Sequence, residues 1–94
     1  MSTEELEQYE AEIELALYRE YRDVIGMFRY VVETERRFYL CNQVERVDGD
    51  GTFLEYELVD AWVWDMYRQS RFLARARIAS ARALTIEELP PREL

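Results

Sequence analysis

From Leu6 onward, apolar side chains recur at three-to-four spacing: Leu6, Tyr9, Ile13, Ala16, Leu17, Tyr21 and Val24. That period gathers them into one stripe of an amphipathic helix. Ser2 and Glu5 stand in the S-x-x-E arrangement of a capping box, in which the hydroxyl accepts from an orphan amide and the carboxylate reaches back. Acids crowd the first half, while Arg19 and Arg22 fall near the end, both as the helix dipole prefers. Gly26 is placed to close the element. The pattern predicts a helix over about residues 4–25.

At Met27 the period drops to two. Phe28, Tyr30 and Val32 alternate with Arg29, Val31 and Glu33, and Phe38, Leu40 and Val44 with Tyr39, Cys41 and Glu45. These are strand signals. The intervening "ETERR" carries no Gly, Pro or Asn and fits either a tight turn or a bend in one long strand. "VDGDGT" is clearer, because Asp-Gly steps supply the positive φ of a hairpin at residues 48–51. A third strand starts near Thr52, with Leu54, Tyr56 and Leu58 on one face and Glu55 and Glu57 on the other. Past Val59 both sides turn apolar, through Ala61, Trp62, Val63, Trp64, Met66 and Tyr67. "RQSR" reads as a loop, and "FLARARIAS" sets Phe72, Ala74, Ala76 and Ile78 opposite Leu73, Arg75, Arg77 and Ala79. The tail "LTIEELPPREL" fits a short strand or a helical turn, ended by Pro90 and Pro91.

The predicted class is α+β: a long N-terminal amphipathic helix packed on a curved antiparallel sheet of about four strands. It forms a single domain, 1–94, with the sheet over about 27–86 and a tail at 87–94. Four strands at ~4.8 Å make a surface nearly 20 Å wide, against about 10 Å for one helix. One helix therefore leaves part of its own face open and the other face bare. Segments that are apolar on both sides need a second cover: the tail, a second copy or another protein.

Composition narrows the chemistry. There is no histidine, and every basic residue is arginine. Histidine triads, histidine metal sites, P-loops and lysine Schiff bases are thereby excluded. The lone Cys41 excludes thiolate zinc sites and internal disulfides, and reads as a small apolar filler in a strand. No catalytic residue, cofactor or metal site is assigned. The remaining candidates for chemistry are Glu33, Glu35, Asp60 and Asp65, which flank apolar segments and could gather around Mg²⁺ in a metal-dependent nuclease. With 20 acids in 94 residues, solvated surface carboxylates are the simpler reading. No apolar run approaches the ~20 residues of a membrane span. The acidic N-terminus lacks the apolar region of a signal peptide. A cytoplasmic location without a membrane partner is expected.

The net charge is −8. It disfavours general nucleic-acid binding, whose affinity comes largely from phosphate contacts. The charge has two poles. Residues 1–25 carry −6, and residues 66–82 carry Arg68, Arg71, Arg75, Arg77 and Arg82 with no acid. The helix acids suit a basic partner, against the simpler reading of a solvated face. The arginines read as an exposed strand face, open to ion pairing with the helix.

"DAWVWDMYR" concentrates the aromatic character. Trp62 and Trp64, at i and i+2, share a face in a strand. With Tyr67 and the nearby arginines they could make a cation cage or a base-stacking platform. Core packing is the favoured reading, because each aromatic ring buries a large area in a small domain. A helix capped by Asp60 is the alternative local structure, but Trp-Val-Trp favours a strand. Trp62, Trp64, Tyr67, Arg68, Arg71, Arg75 and Arg77 are the candidate partner-binding residues.

With "ELEQYEAEIELALYREYRDVIG", "FRYVVETERRFYLCN" and "DAWVWDMYR", the chain resembles a family of small acidic actinobacterial proteins classified as a domain of unknown function, often encoded beside ribonuclease HII. The resemblance covers residues 3 to about 89 and brings no catalytic residues with it. The expected function is a non-enzymatic protein-interaction module, with a homodimer among the candidate states. The alternatives are a nucleic-acid-associated protein using a Trp/Arg surface around residues 62–77 and, behind it, the carboxylate nuclease.

Overall fold

A computed structural model describes residues 2–47, 49, 51–82 and 84–91. Helix α1 spans Thr3–Val24. Its capping box is formed: the Glu5 amide donates to Ser2 Oγ at 3.2 Å, and the Ser2 amide donates to Glu5 Oε2 at 3.4 Å. Gly26 does follow the cap residue Ile25, but in a 3-10 turn, Ile25–Met27, closed by the Phe28 amide donating to the Ile25 carbonyl at 3.2 Å.

Among the described residues, five strands form one antiparallel sheet: β1 (Tyr30–Glu33), β2 (Phe38–Val47), β3 (Leu54–Val63), β4 (Phe72–Ser80) and β5 (Thr85–Glu88). Their order is β4-β3-β2-β1-β5. The sheet thus has five strands where about four are expected. The addition is β5, which takes the free edge of β1 with Ile86 opposite Val32 and Glu88 opposite Tyr30. "ETERR" is a turn. The Thr34 amide donates to the Arg37 carbonyl at 2.9 Å, and Thr34 Oγ1 accepts from the amides of Arg36 and Arg37, replacing the usual turn glycine with a side-chain acceptor. In the β2–β3 connection Gly51 has φ 88°, a value that favours glycine; Asp48 and Asp50 of the expected hairpin lie outside the described residues.

Two apolar clusters lie on opposite sides of the sheet. On the helix side, Leu17, Val24, Phe28, Leu40 and Trp62 are buried together, with Tyr21, Phe38, Trp64 and Leu89 packed around them. Behind the sheet lie Val32, Cys41, Leu58, Ala61 and Ile78, joined by Tyr39, Leu73 and Leu84. Leu84 and Leu89 flank β5, so the tail covers part of each side.

The second cluster crosses a change of phase. Cys41, Ala61 and Leu73 pack on the same side as Val44, Leu58 and Ala76, three residues along each strand. Strict alternation would put residues three apart on opposite faces. The shift sits at Asp60, whose φ of 52° is left-handed backbone, with regular pairing on both flanks. Leu73 therefore joins Ala76 and Ile78 in the core, while Phe72, opposite Trp62, is half exposed. The expected division of β4 into two fixed faces does not hold.

The molecule is extended. Its radius of gyration is 15.3 Å, where a compact chain of this length gives about 12 Å. Its accessible surface is 7213 Å², where about 5,800 Å² is expected for 11.4 kDa. In α1 only Leu17 and Val24 are buried, which is consistent with the large surface.

Candidate interaction site: the aromatic junction and the projecting helix

The predicted site residues separate into three environments. Trp62 is fully buried at the centre of the helix-side core. It sits opposite Leu40 in the β2–β3 ladder, under the C-terminal half of α1. Its indole N–H donates to Glu20 Oε1 at 2.7 Å, and Glu20 Oε2 accepts from Arg71 Nη1 at 2.8 Å. Arg71 Nε also donates to the Asp65 carbonyl at 3.0 Å. One helix carboxylate thus joins the core tryptophan to the β3–β4 loop, and Trp62 and Arg71 are parts of the scaffold.

Trp64 lies just past the end of β3, with its amide donating to the Phe38 carbonyl at 2.9 Å. It is half-buried. Its ring meets Tyr18 at 5.3 Å, Tyr21 at 5.4 Å, Trp62 at 6.0 Å and Phe38 at 6.3 Å between centroids, all steeply inclined. Edge-to-face contacts at these distances are the favourable arrangement of packed rings. Tyr18, Tyr21, Phe38 and Trp64 line a shallow surface depression of about 290 Å³. Rings in mutual contact leave no cation-sized gap between them, so this is a packed junction with an open apolar edge. Burial, followed by the neighbouring Tyr18, raises the Tyr21 phenol above its ordinary range.

Asp65 then reverses the chain. Its Oδ1 accepts from the Tyr67 amide at 3.0 Å, its carbonyl accepts from the Arg68 amide at 3.3 Å, and Arg37 pairs with its carboxylate at 3.5 Å. Tyr67 stands on this turn, 72% exposed. Arg68 donates from Nε to the Ser70 carbonyl at 3.0 Å.

The arginine stripe is largely self-neutralised. Arg75 pairs with Glu57, and Arg77 with Glu55 at 3.6 Å, across the β3–β4 ladder. The pairing expected with the helix is thus made mainly by the neighbouring strand; among the described ion pairs, only that of Arg71 reaches α1. Sequence reasoning left out Glu20, Glu55 and Glu57. Glu55 and Glu57 were legible in principle as an i, i+2 acidic pair opposite an i, i+2 arginine pair.

The four carboxylates considered for metal chemistry are dispersed in role. Glu33 is exposed on β1, Glu35 meets Ser80, Asp60 carries the backbone shift and Asp65 holds the turn. Among the described residues, no three Asp, Glu, Cys or His side chains gather as a metal site requires. Ser80 Oγ lies 2.5 Å from Glu35 Oε2, and this contact, ahead of a backbone hydrogen bond, holds the Glu35 carboxyl below its ordinary range. Cys41 is a buried free thiol, and burial pushes it up to about 11. A concavity of about 580 Å³ lies where the end of α1 meets the tail, lined by Arg22, Met27, Phe28, Arg29 and Leu89 among others; it holds none of the predicted site residues.

The first half of α1 carries part of its apolar stripe without a cover among the described residues. Leu6 is 45% exposed and Tyr9 53%, although both belong to the stripe that buries Leu17 and Val24. Around them stand Glu4, Glu5, Glu7, Glu10, Glu12 and Glu14. None of the five ion pairs among the described residues uses any of these six.

Comparison with known proteins places this arrangement in a family. An uncharacterized protein of Mycobacterium bovis is 55% identical over 98 residues, covering all of this chain and 96% of the relative. Uncharacterized proteins from two strains of Mycobacterium tuberculosis match to the same extent. No solved structure matches the chain. No helix among the described residues is long and apolar enough to cross a membrane. The family model described as "Protein of unknown function (DUF2469)" matches residues 1–94, and the chain belongs to that family.

Proposed function

We propose that this chain is a non-enzymatic, cytoplasmic protein-interaction module, with the projecting half of α1 as its principal surface. One observation carries the reading. A single apolar stripe is buried from Leu17 to Val24 and exposed at Leu6 and Tyr9. Helix stability in proteins comes mostly from packing such a stripe. A stripe that continues beyond its own sheet is a surface suited to another chain, and the excess accessible area agrees with this.

The rest of the fold acts as a platform. β4 and β1 are separated in the sheet by β3 and β2, yet Ser80 at the end of β4 meets Glu35 beside β1. Only four residues, 81–84, join opposite edges of the sheet. Both observations support a curved sheet closing around the second core. The nucleic-acid reading is weakened by the Glu55 and Glu57 partners of the arginine stripe and by the burial of Trp62.

Affinity capture of the tagged chain from its own cytoplasm, with and without nuclease, tests the proposal. A protein retained through nuclease treatment supports it. A partner lost with nuclease replaces it with nucleic-acid association.

A further inference from the structure

We infer that the projecting half of α1, residues 3–16, seats a basic amphipathic helix from a partner protein. This rests on the interaction-module reading and names the kind of partner.

The seat has a shape. Residues 3–16 make about 21 Å of helix, roughly four turns. Leu6, Tyr9 and Ile13 lie at i, i+3 and i+7, the spacing of a seam for a second helix. Tyr9 supplies the large amphipathic side chain that commonly anchors an interface. The surface is already ordered, since the capping box fixes its start and the buried half of the same helix fixes its end. A partner helix therefore meets a surface that needs little further ordering.

The seat also has a charge. On a 3.6-residue helix Glu10 borders the stripe on one side and Glu5 and Glu12 on the other; Glu4, Glu7 and Glu14 lie further round. Elsewhere in the fold, Glu20, Glu55, Glu57, Asp65 and Glu88 have arginine partners. Among the described residues the six helix acids have none, and no arginine falls within residues 3–16, so this segment sets six negative charges beside the apolar stripe with no basic residue of its own. The occupant that satisfies both features has its own apolar stripe flanked by lysine or arginine. A second copy of this helix would set six further carboxylates against the first six. An anionic membrane would be repelled by the same field.

The test uses the full chain and a synthetic helical peptide with leucine at i, i+3 and i+7 and lysine on the flanks. Its controls are a scrambled peptide of the same composition and a glutamate-for-lysine peptide. Binding is read by anisotropy at physiological ionic strength, and the contact surface by amide chemical shifts. The amphipathic basic peptide is expected to perturb residues 3–16. Its affinity should fall about tenfold or more for the double variant Leu6→Ser, Tyr9→Ser, the scale of losing interface anchors. A similar loss is expected when Glu5, Glu10 and Glu12 become Gln. Glu5, Leu6, Tyr9 and Glu12 are exposed and Glu10 is half-buried, and the core emission of Trp62 verifies that each variant is folded. Equal binding of the scrambled peptide, or shifts confined to the sheet, overturns the inference. So does a homodimer that the double variant converts to monomer, because the seat would then hold a second copy. A cellular partner retained undiminished by the double variant removes this seat while the interaction module stands. Capture of no protein partner, with the peptide behaving as expected, would count against the module reading alone.

Discussion

The indole N–H of Trp62 donates to Oε1 of Glu20 across 2.7 Å, joining a strand to a helix residue 42 positions away. The same carboxylate holds Arg71, so one helix side chain satisfies a buried donor and compensates a mostly buried guanidinium. Glu20→Ala leaves the indole N–H unpaired and Arg71 without its carboxylate, keeping only its bond to the Asp65 carbonyl. The expected destabilisation is about 1–3 kcal/mol. For a domain of this size each kcal/mol lowers the melting temperature by roughly 4–8 °C. Glu20→Gln keeps an acceptor for Trp62 and should lose less. Thermal melts of the two variants check the order; equal, negligible losses would show that the network does not hold α1 to the sheet.

High pH should destabilise the fold through its buried core. Cys41 is fully buried, and its thiol is pushed up to about 11. In the unfolded chain a thiol ionises near about 8.5. The unfolded state therefore releases its proton first, and the folded state is disfavoured as pH rises. Stability is complete below the unfolded value and is lost as pH climbs through that window towards about 11. Tyr39 and Tyr21, both raised chiefly by burial, act in the same direction. Urea unfolding across this range should show a falling midpoint, and Cys41→Ala should flatten the fall without abolishing it. A slope identical to wild type would exclude Cys41 as a contributor.

Asp60 concentrates backbone strain. A φ of 52° is tolerated by Asp, Asn and Gly but is an outlier for β-branched residues. Asp60→Val should cost about 1–3 kcal/mol. Asp60→Gly, which removes the Cβ conflict, should be neutral or stabilising. If valine is tolerated as well as glycine in denaturant melts, the phase shift of the sheet does not depend on this residue.

What could be read from the sequence follows the range of each interaction. The helix, its capping box and β4 are local patterns, and their limits fall within about two residues of expectation. β5 was obscure because Thr85–Glu88 has four exposed residues and no alternation; its place is set by the free edge of β1. The phase change was hidden because Asp60 looks like any polar residue in a strand, and the left-handed φ leaves no mark on the pattern. Trp62 and Trp64 were correctly placed on one face. Their different burial depends on where α1 crosses that face, a tertiary fact. The stripe of α1 was visible throughout, but the sequence did not reveal that the sheet stops short of Leu6 and Tyr9.

The arginine stripe should be silent toward nucleic acid until its partners are removed. Arg75 and Arg77 are exposed and paired with Glu57 and Glu55, so losing either arginine should cost less than about 1 kcal/mol. Replacing both glutamates by Gln uncovers two positive charges on one strand. Oligonucleotide binding at low salt should then rise and fall steeply with added salt. Strong binding by the wild-type chain would restore the Trp/Arg surface as a reading of its function.

The two tryptophans should report separately on the junction between helix and sheet. Trp62 is enclosed, with its N–H engaged by Glu20; Trp64 has one edge in the open depression beside Tyr18. Trp64→Phe leaves Trp62 as the only indole, and its emission should be blue-shifted and poorly quenched by acrylamide. Trp62→Phe leaves Trp64, whose emission should be redder and quenched more readily. The substitutions also differ energetically. Truncating Trp62 further to alanine empties the centre of the core, at about 3–5 kcal/mol, whereas Trp64→Ala removes rim contacts and should cost less. If acrylamide quenches the two single-tryptophan proteins alike, the helix does not close over Trp62 in solution. The platform from which the first half of α1 projects would then be looser than the geometry requires.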